Sequence, residues 1–149
     1  MSYYSAEASE VIAANPADIY AVLKDYHINH PAILPKQYFK ELKVIEGGDG
    51  AGTVFETRLQ VMGVEQTYRM TVTEPEPGRV IAERDEPSDV TTTFTVDPLN
   101  GGQQSRVTIH SQAKASPGIK GVLEQLFTPA ITRRIFRNEL KQLAEYMAE

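Results

Sequence analysis

The chain opens on a loose alternation of polar and apolar residues over 3–13 (YYSAEASEVIA), the pattern of a strand. Asn15-Pro16-Ala17-Asp18 then marks a helix start: asparagine caps the first turn, and proline there gives up no bond that matters. Ile19, Val22 and Leu23 fall at i, i+3 and i+4, one apolar face of a short helix. The stretch from Asp25 to Pro35, which holds Pro31 and Pro35, predicts a second short helix or turn.

From Tyr38 onward the period is two. Phe39–Glu46 and Thr53–Val61 predict strands joined by the glycine-rich loop Gly47-Gly48-Asp49-Gly50-Ala51-Gly52. Phe55, Thr57, Leu59 and Val61 share one face of the second strand. Met62-Gly63 is a tight turn, after which Val64, Gln66, Tyr68, Met70 and Val72 alternate with polar residues. A turn at Glu74-Pro75-Glu76-Pro77-Gly78 leads to strands at Arg79–Asp85 and Asp89–Val96. Asn100-Gly101-Gly102 turns into a last strand, Ser105–Ala113. Val90, Thr92, Phe94 and Val96 point inward by parity, as do Val107, Ile109, Ser111 and Ala113. Strands at this spacing form an antiparallel meander.

Pro117 to Glu149 reads as helix, with a complication. Ile119, Val122, Leu123, Leu126, Phe127 and Ala130 share one face, whereas Phe136, Leu140, Leu143 and Met147 lie roughly 100° around the same ideal cylinder. Pro129 lies between the two sets, and Thr128-Pro129 fits a new cap and first turn. The pattern predicts a kinked or two-piece helix whose first half roofs a cavity and whose second half locks onto the sheet. The fold class is α+β: a curved antiparallel sheet of about seven strands around a long C-terminal helix, with two short helices after the first strand. Residues 1–149 read as one domain, without repeat or linker.

Composition narrows the function. With 15 Lys+Arg against 20 Asp+Glu the net charge is -5, which argues against nucleic acid as the main partner. There is no cysteine, so disulfides, thiolate nucleophiles and cysteine-bound metals are excluded. No apolar run approaches the roughly 20 residues needed to span a bilayer. The opening MSYYSAEASE is too polar for a signal peptide, and the expected location is cytoplasmic.

The order of elements resembles the helix-grip fold of the START and Bet v 1-like superfamily, and within it the polyketide cyclase/dehydrase and lipid-transport group. Residues 15–23 (NPADIYAVL) resemble that group's opening helix, and residues 44–53 (VIEGGDGAGT) its glycine-rich turn. Residues 91–96 (TTTFTV) and 138–143 (NELKQL) are similar as well. One departure is His27-Ile28-Asn29-His30-Pro31, where members often carry a tryptophan; this chain has none. The resemblance implies an apolar cavity under the long helix, suited to a lipid, sterol or polyketide-like ligand.

Little else in the sequence speaks of chemistry. The glycines at 47–52 do not match a phosphate-binding loop and precede a strand; positive-φ turns explain them, with a flexible cavity lip as the sharper reading. His27 and His30 could offer two imidazoles to a metal, but no third ligand is near, so they read as surface or entrance histidines with no metal and no cofactor. His110 faces outward by parity. Arg133, Arg134, Arg137 and Lys141 read as a solvated helix face, or else as a transient contact with an anionic membrane. Glu56 with Arg69, or Arg58 with Glu65, would pair across strands.

The expected ligand-binding set is Phe55, Thr57, Leu59, Tyr68, Met70, Thr92, Phe94, Ile109, Ser111, Leu123, Phe127 and Ile131. Tyr68, Arg84 and Ser111 are the candidates to polarise a carbonyl if the protein is an enzyme. The reading leans to binding or transport of a small hydrophobic ligand. A cyclase or dehydratase-type enzyme is the alternative, and an interaction module with a vestigial cavity the third. An inward-facing acid–base pair would favour the enzyme.

Overall fold

The computed structural model describes the backbone from Tyr3 to Glu149, and the side chains except those at 119, 120, 122, 123 and 125–127. Strand β1 (Tyr3–Ile12) leads into helices α1 (Pro16–Lys24) and α2 (Asn29–Ile33). Strands β2 (Phe39–Glu46), β3 (Val54–Val61), β4 (Val64–Glu76), β5 (Val80–Asp85), β6 (Val90–Leu99) and β7 (Gln104–Lys114) follow, and α3 (Gly118–Met147) ends the chain. All seven strands form one curved antiparallel sheet in the order β1-β7-β6-β5-β4-β3-β2. The meander from β2 to β7 uses short local turns; β1 instead returns to the far edge, pairing Tyr3 with Lys114 and Ile12 with Ser105.

The local reasons are those the sequence offers. The Asn15 side chain accepts the Asp18 N–H at 2.9 Å and Pro16, in the first turn of α1, has no N–H to satisfy, so two of the first-turn donors are dealt with before the apolar face begins. That face buries Ile19, Tyr20, Val22 and Leu23. Inward strand positions Phe55, Met70, Val72, Ile81, Phe94, Val96 and Val107 meet it, and Phe136, Leu140 and Leu143 of α3 complete the core.

Two expectations need correcting. The predicted turn at 74–78 is shorter, because β4 continues through Pro75 to Glu76 and only the segment around Gly78 reverses the chain. Proline is tolerated there because a register irregularity between Thr73 and Glu76 relieves the ladder of its donor. The second correction concerns α3, which runs unbroken across Pro129 rather than in two pieces. Proline removes one donor and strains one turn, at about 3 kcal/mol. Packing of α3 along β1 and against α2 offsets that cost.

The glycine loop is also not a free lip. Tyr26 N–H donates to Gly48 O at 2.9 Å, Gly50 N–H donates to Lys24 O at 2.9 Å, and His27 Nε2 lies 3.1 Å from Gly47 O. The loop is thereby latched to the corner after α1. The latch is tight enough that a Cβ on Gly48, whose φ is +133°, would sit 1.9 Å from His27 Nε2.

Candidate functional site

Between the concave face of the sheet and α3 lies a cavity of about 150 Å³. That is the size of a void that holds one benzene-sized molecule. Phe55, Thr57 and Leu59 of β3 line it, with Tyr68 and Met70 of β4, Thr92 and Phe94 of β6, and Ser111 of β7. From α3 the lining is Thr128, Thr132, Ile135, Phe136 and Glu139, a stripe at helical spacing. Ile131 is half-buried and falls off that stripe. Ile109 does not line the cavity: it lies further along β7, where the groove is filled, and packs into the core with Val107 and Leu140. Leu123 and Phe127 lie outside the described side chains.

The three polar candidates separate. Thr92 Oγ1 donates to Ser111 Oγ at 3.2 Å, so these two hydroxyls satisfy each other on the cavity wall. Tyr68 lines the cavity with its ring while its hydroxyl donates to Gln66. Arg84 is excluded: β5 turns Ile81, Glu83 and Asp85 inward, so Arg84 faces solvent and pairs with Asp89 at 2.8 Å. On the outer face His110 sits in a shallow polar hollow with Thr91 and Thr93. Arg58 reaches Glu65 at 3.9 Å, whereas Glu56 and Arg69 are directly opposed in the ladder. Arg134, Arg137 and Lys141 are exposed on α3, and Arg133 is half-buried. Among the described residues, no helix is long and apolar enough to cross a membrane.

The chemistry gathers at one end of the cavity, around His30 and two glutamates, Glu83 and Glu139, that the sequence reading does not single out. The sequence reads His30 as a surface or entrance histidine, yet it is 2% exposed. The reason is packing: its ring stacks on Tyr26 at 4.6 Å and meets the edge of Phe94 at 5.3 Å. His30 Nδ1 lies 2.7 Å from the Leu23 carbonyl. A carbonyl only accepts, so Nδ1 carries the proton and Nε2 presents a lone pair. That lone pair faces Glu83 Oε2 at 3.8 Å and Glu139 Oε2 at 3.9 Å. Tyr26 donates its hydroxyl to Glu83 Oε2 at 2.7 Å.

These contacts are not ion pairs. Burial pushes the His30 imidazole down to about 4, so it is neutral at physiological pH. Burial raises Glu83 to about 7 against the opposing Tyr26 hydrogen bond. Glu139 is held well above the carboxylate range, first by burial and then by the neighbouring Glu83 charge. Near neutrality the cluster thus holds a neutral imidazole and a Glu83 close to half-ionised, beside a Glu139 whose burial favours its protonated form. Glu139 Oε2 is buried and has no hydrogen-bond partner among the described residues. An orphaned carboxyl oxygen on a cavity wall is costly unless something in the cavity uses it.

Signals for two of these residues were present in the sequence. Glu139 falls at i+3 from Phe136 and i−4 from Leu143, squarely on the apolar face of the last helix. Glu83 shares parity with Ile81. His30 gave no such signal, because a five-residue helix between a turn and a proline has no period to read.

Comparison with known proteins agrees with this architecture. The family model for polyketide cyclase / dehydrase and lipid transport matches residues 4–148. The solved KanY protein is 31% identical, with all of both chains covered and a TM-score of 0.85. The Zhui aromatase/cyclase of Streptomyces sp. R1128 is 16% identical, covering 97% of this chain and 93% of its own, with a TM-score of 0.77. A START superfamily protein of Mycobacterium smegmatis is 12% identical at a TM-score of 0.75, covering 97% and 99%. At such identities the last two are likenesses of fold. No curated protein matches the sequence.

Proposed function

The chain belongs to the polyketide cyclase / dehydrase and lipid transport family, and on that premise we propose that it is an acid–base enzyme of the dehydratase or cyclase type, acting on a small carbonyl compound held in the cavity. One observation carries the reading: His30, Glu83 and Glu139 converge on the cavity wall within 4 Å of the His30 Nε2. Three buried titratable groups with no lysine or arginine among the described lining residues are an expensive way to build a passive apolar pocket.

Their protonation states divide the labour. Glu83, at about 7, is an effective general base at neutral pH, and the Tyr26 hydroxyl steadies its ionised form. Glu139, whose burial and neighbouring Glu83 charge favour the protonated form, is the group placed to give the proton as the acid. In dehydration of a β-hydroxy ketone, Glu83 takes the proton α to the carbonyl as the C–O bond breaks. Glu139 protonates the departing hydroxyl, so that enone and water leave. The net change on the protein is one proton moved from Glu139 to Glu83, and solvent exchange restores it.

A binding protein without turnover is the second reading, favoured by the cavity's mostly apolar walls, Phe55, Met70 and Phe94 among them. Diacetone alcohol distinguishes the two. The enzyme should accelerate its loss of water to mesityl oxide, followed by the ultraviolet absorbance of the enone. Glu83→Gln and Glu139→Gln should each lower that rate by about 100-fold or more. A wild-type rate equal to that of both variants would remove the catalytic reading and leave the carrier.

A further inference from the structure

We propose that the cavity selects an uncharged, single-ring hydroxyl compound, a phenol or its reduced equivalent, whose hydroxyl bridges His30 Nε2 and Glu139. The inference rests on the reading of this cavity as a ligand site and adds to it a ligand class and a pose.

The first argument is geometric. His30 Nε2 and Glu139 Oε2 are 3.9 Å apart, too far for a direct hydrogen bond. An oxygen placed off the line between them can lie about 2.8 Å from both, the ordinary hydrogen-bond length. The tautomer fixed by the Leu23 carbonyl leaves Nε2 an acceptor, and a protonated Glu139 is a donor. A hydroxyl group does both jobs in return: its proton goes to Nε2 and its oxygen receives from Glu139. A ketone cannot donate to Nε2, and an ether cannot either.

The second argument is charge. Neither lysine nor arginine is among the described lining residues, so nothing there neutralises a carboxylate or phosphate. An anion would also face Glu83 and Glu139 at close range. A hydroxyl brings no charge to desolvate. Size then limits the rest: about 150 Å³ fits one ring, and Phe55 and Phe94 supply aromatic walls for it. A sterol or a diacyl lipid exceeds that volume several-fold.

Four probes of similar size test the claim by NMR-detected titration near pH 6: p-cresol, toluene, p-toluate and 4-methylbenzylamine. The expected result is p-cresol binding at least about tenfold more tightly than toluene, because a buried acceptor left unmatched is costly. The 15N resonance of His30 Nε2 should move with p-cresol and stay with toluene. Glu139→Leu should keep toluene binding and abolish the p-cresol preference; retained toluene binding certifies that the variant is folded. Equal affinity for p-cresol and toluene overturns the pose while leaving a ligand cavity standing. Tighter binding of p-toluate or of the ammonium probe overturns the ligand class. If none of the four binds, the cavity itself is not the site, and both this inference and the reading beneath it fall.

Discussion

Tyr20 and Tyr26, on α1 and just after it, each donate a hydroxyl to a glutamate: Tyr20 to Glu74 Oε1 at 2.5 Å, Tyr26 to Glu83 Oε2 at 2.7 Å. The pairs are alike in chemistry and opposite in outcome. Glu74 is held below the usual carboxylate range, by the Tyr20 hydroxyl first and then by the Ala51 N–H at 2.9 Å. Glu83 is raised to about 7 because burial outweighs its one hydrogen bond. At the loop latch solvent still reaches the carboxylate and a second donor completes its shell. At the cavity wall neither holds. A tyrosine–glutamate bond therefore specifies geometry, and the surroundings specify the proton.

The largest effect should come from removing the charge at the cavity wall. Glu83→Gln keeps an acceptor for Tyr26 and deletes the titration. Folded Glu83 retains its proton between its ordinary value of 4.5 and about 7, while the unfolded chain gives it up. Its burial therefore costs nothing at low pH, and the cost grows through that window until it is complete above about 7. The variant should be more stable than the parent by about 3 kcal/mol near pH 9 and indistinguishable near pH 4, by urea denaturation. A constant difference across that range would break the contrast between the two glutamates.

Gly48→Ala attacks the latch instead. With φ at +133° and a Cβ 1.9 Å from His27 Nε2, it should cost about 2 kcal/mol and drive the imidazole off Gly47 O. The pH slope set by Glu83 should survive, which the same denaturation series reads. Glu74→Ala follows, at about 1 kcal/mol near neutrality, since water replaces part of what Tyr20 and Ala51 lose. Because Glu74 is lowered, its contribution is present above 4.5 and vanishes as the pH falls through its folded value, the reverse of Glu83. A gap between parent and variant that narrows as the pH falls below 4.5 is the sign to look for. Arg84→Ala should change neither melting nor probe affinity, since its partner Asp89 meets it in solvent. A measurable loss of p-cresol binding there would put Arg84 back in the site.

Period-two alternation from Phe39 to Ala113 was enough to place the strands, because a sheet with one face buried imposes parity on each of them. It was enough as well to turn Phe55, Met70 and Phe94 inward. It failed on β5, where Val80, Ile81 and Ala82 run together and hide which face Glu83 takes. Parity also says which way a residue points, not how far along the groove it sits, so Ile109 and Ser111 looked equivalent although one is core and the other lines the cavity. The site was harder still. His30, Glu83 and Glu139 come from α2, β5 and α3; Glu139 on an apolar helix face and Glu83 at the parity of Ile81 hint at burial, but neither position hints at the other two residues. What makes them a site is their convergence, which lives in tertiary contacts and leaves no spacing to read.

The return of β1 to the far edge has a kinetic meaning. Its partner β7 lies about a hundred residues away along the chain, Tyr3 opposite Lys114, and β1 has no other neighbour in the sheet. The strand made first must wait for the strand made last. Loop closure of that length comes before any reward, and folding belongs to the millisecond-to-second regime of non-local topologies. Until β7 arrives both hydrogen-bonding edges of β1 are open, an invitation to strands of other chains; the outer edge stays open in the finished sheet, where Tyr3 and Val11 remain exposed. Slow pairing of β1 with β7, rather than any weakness of the finished core, is where losses to aggregation during synthesis should arise.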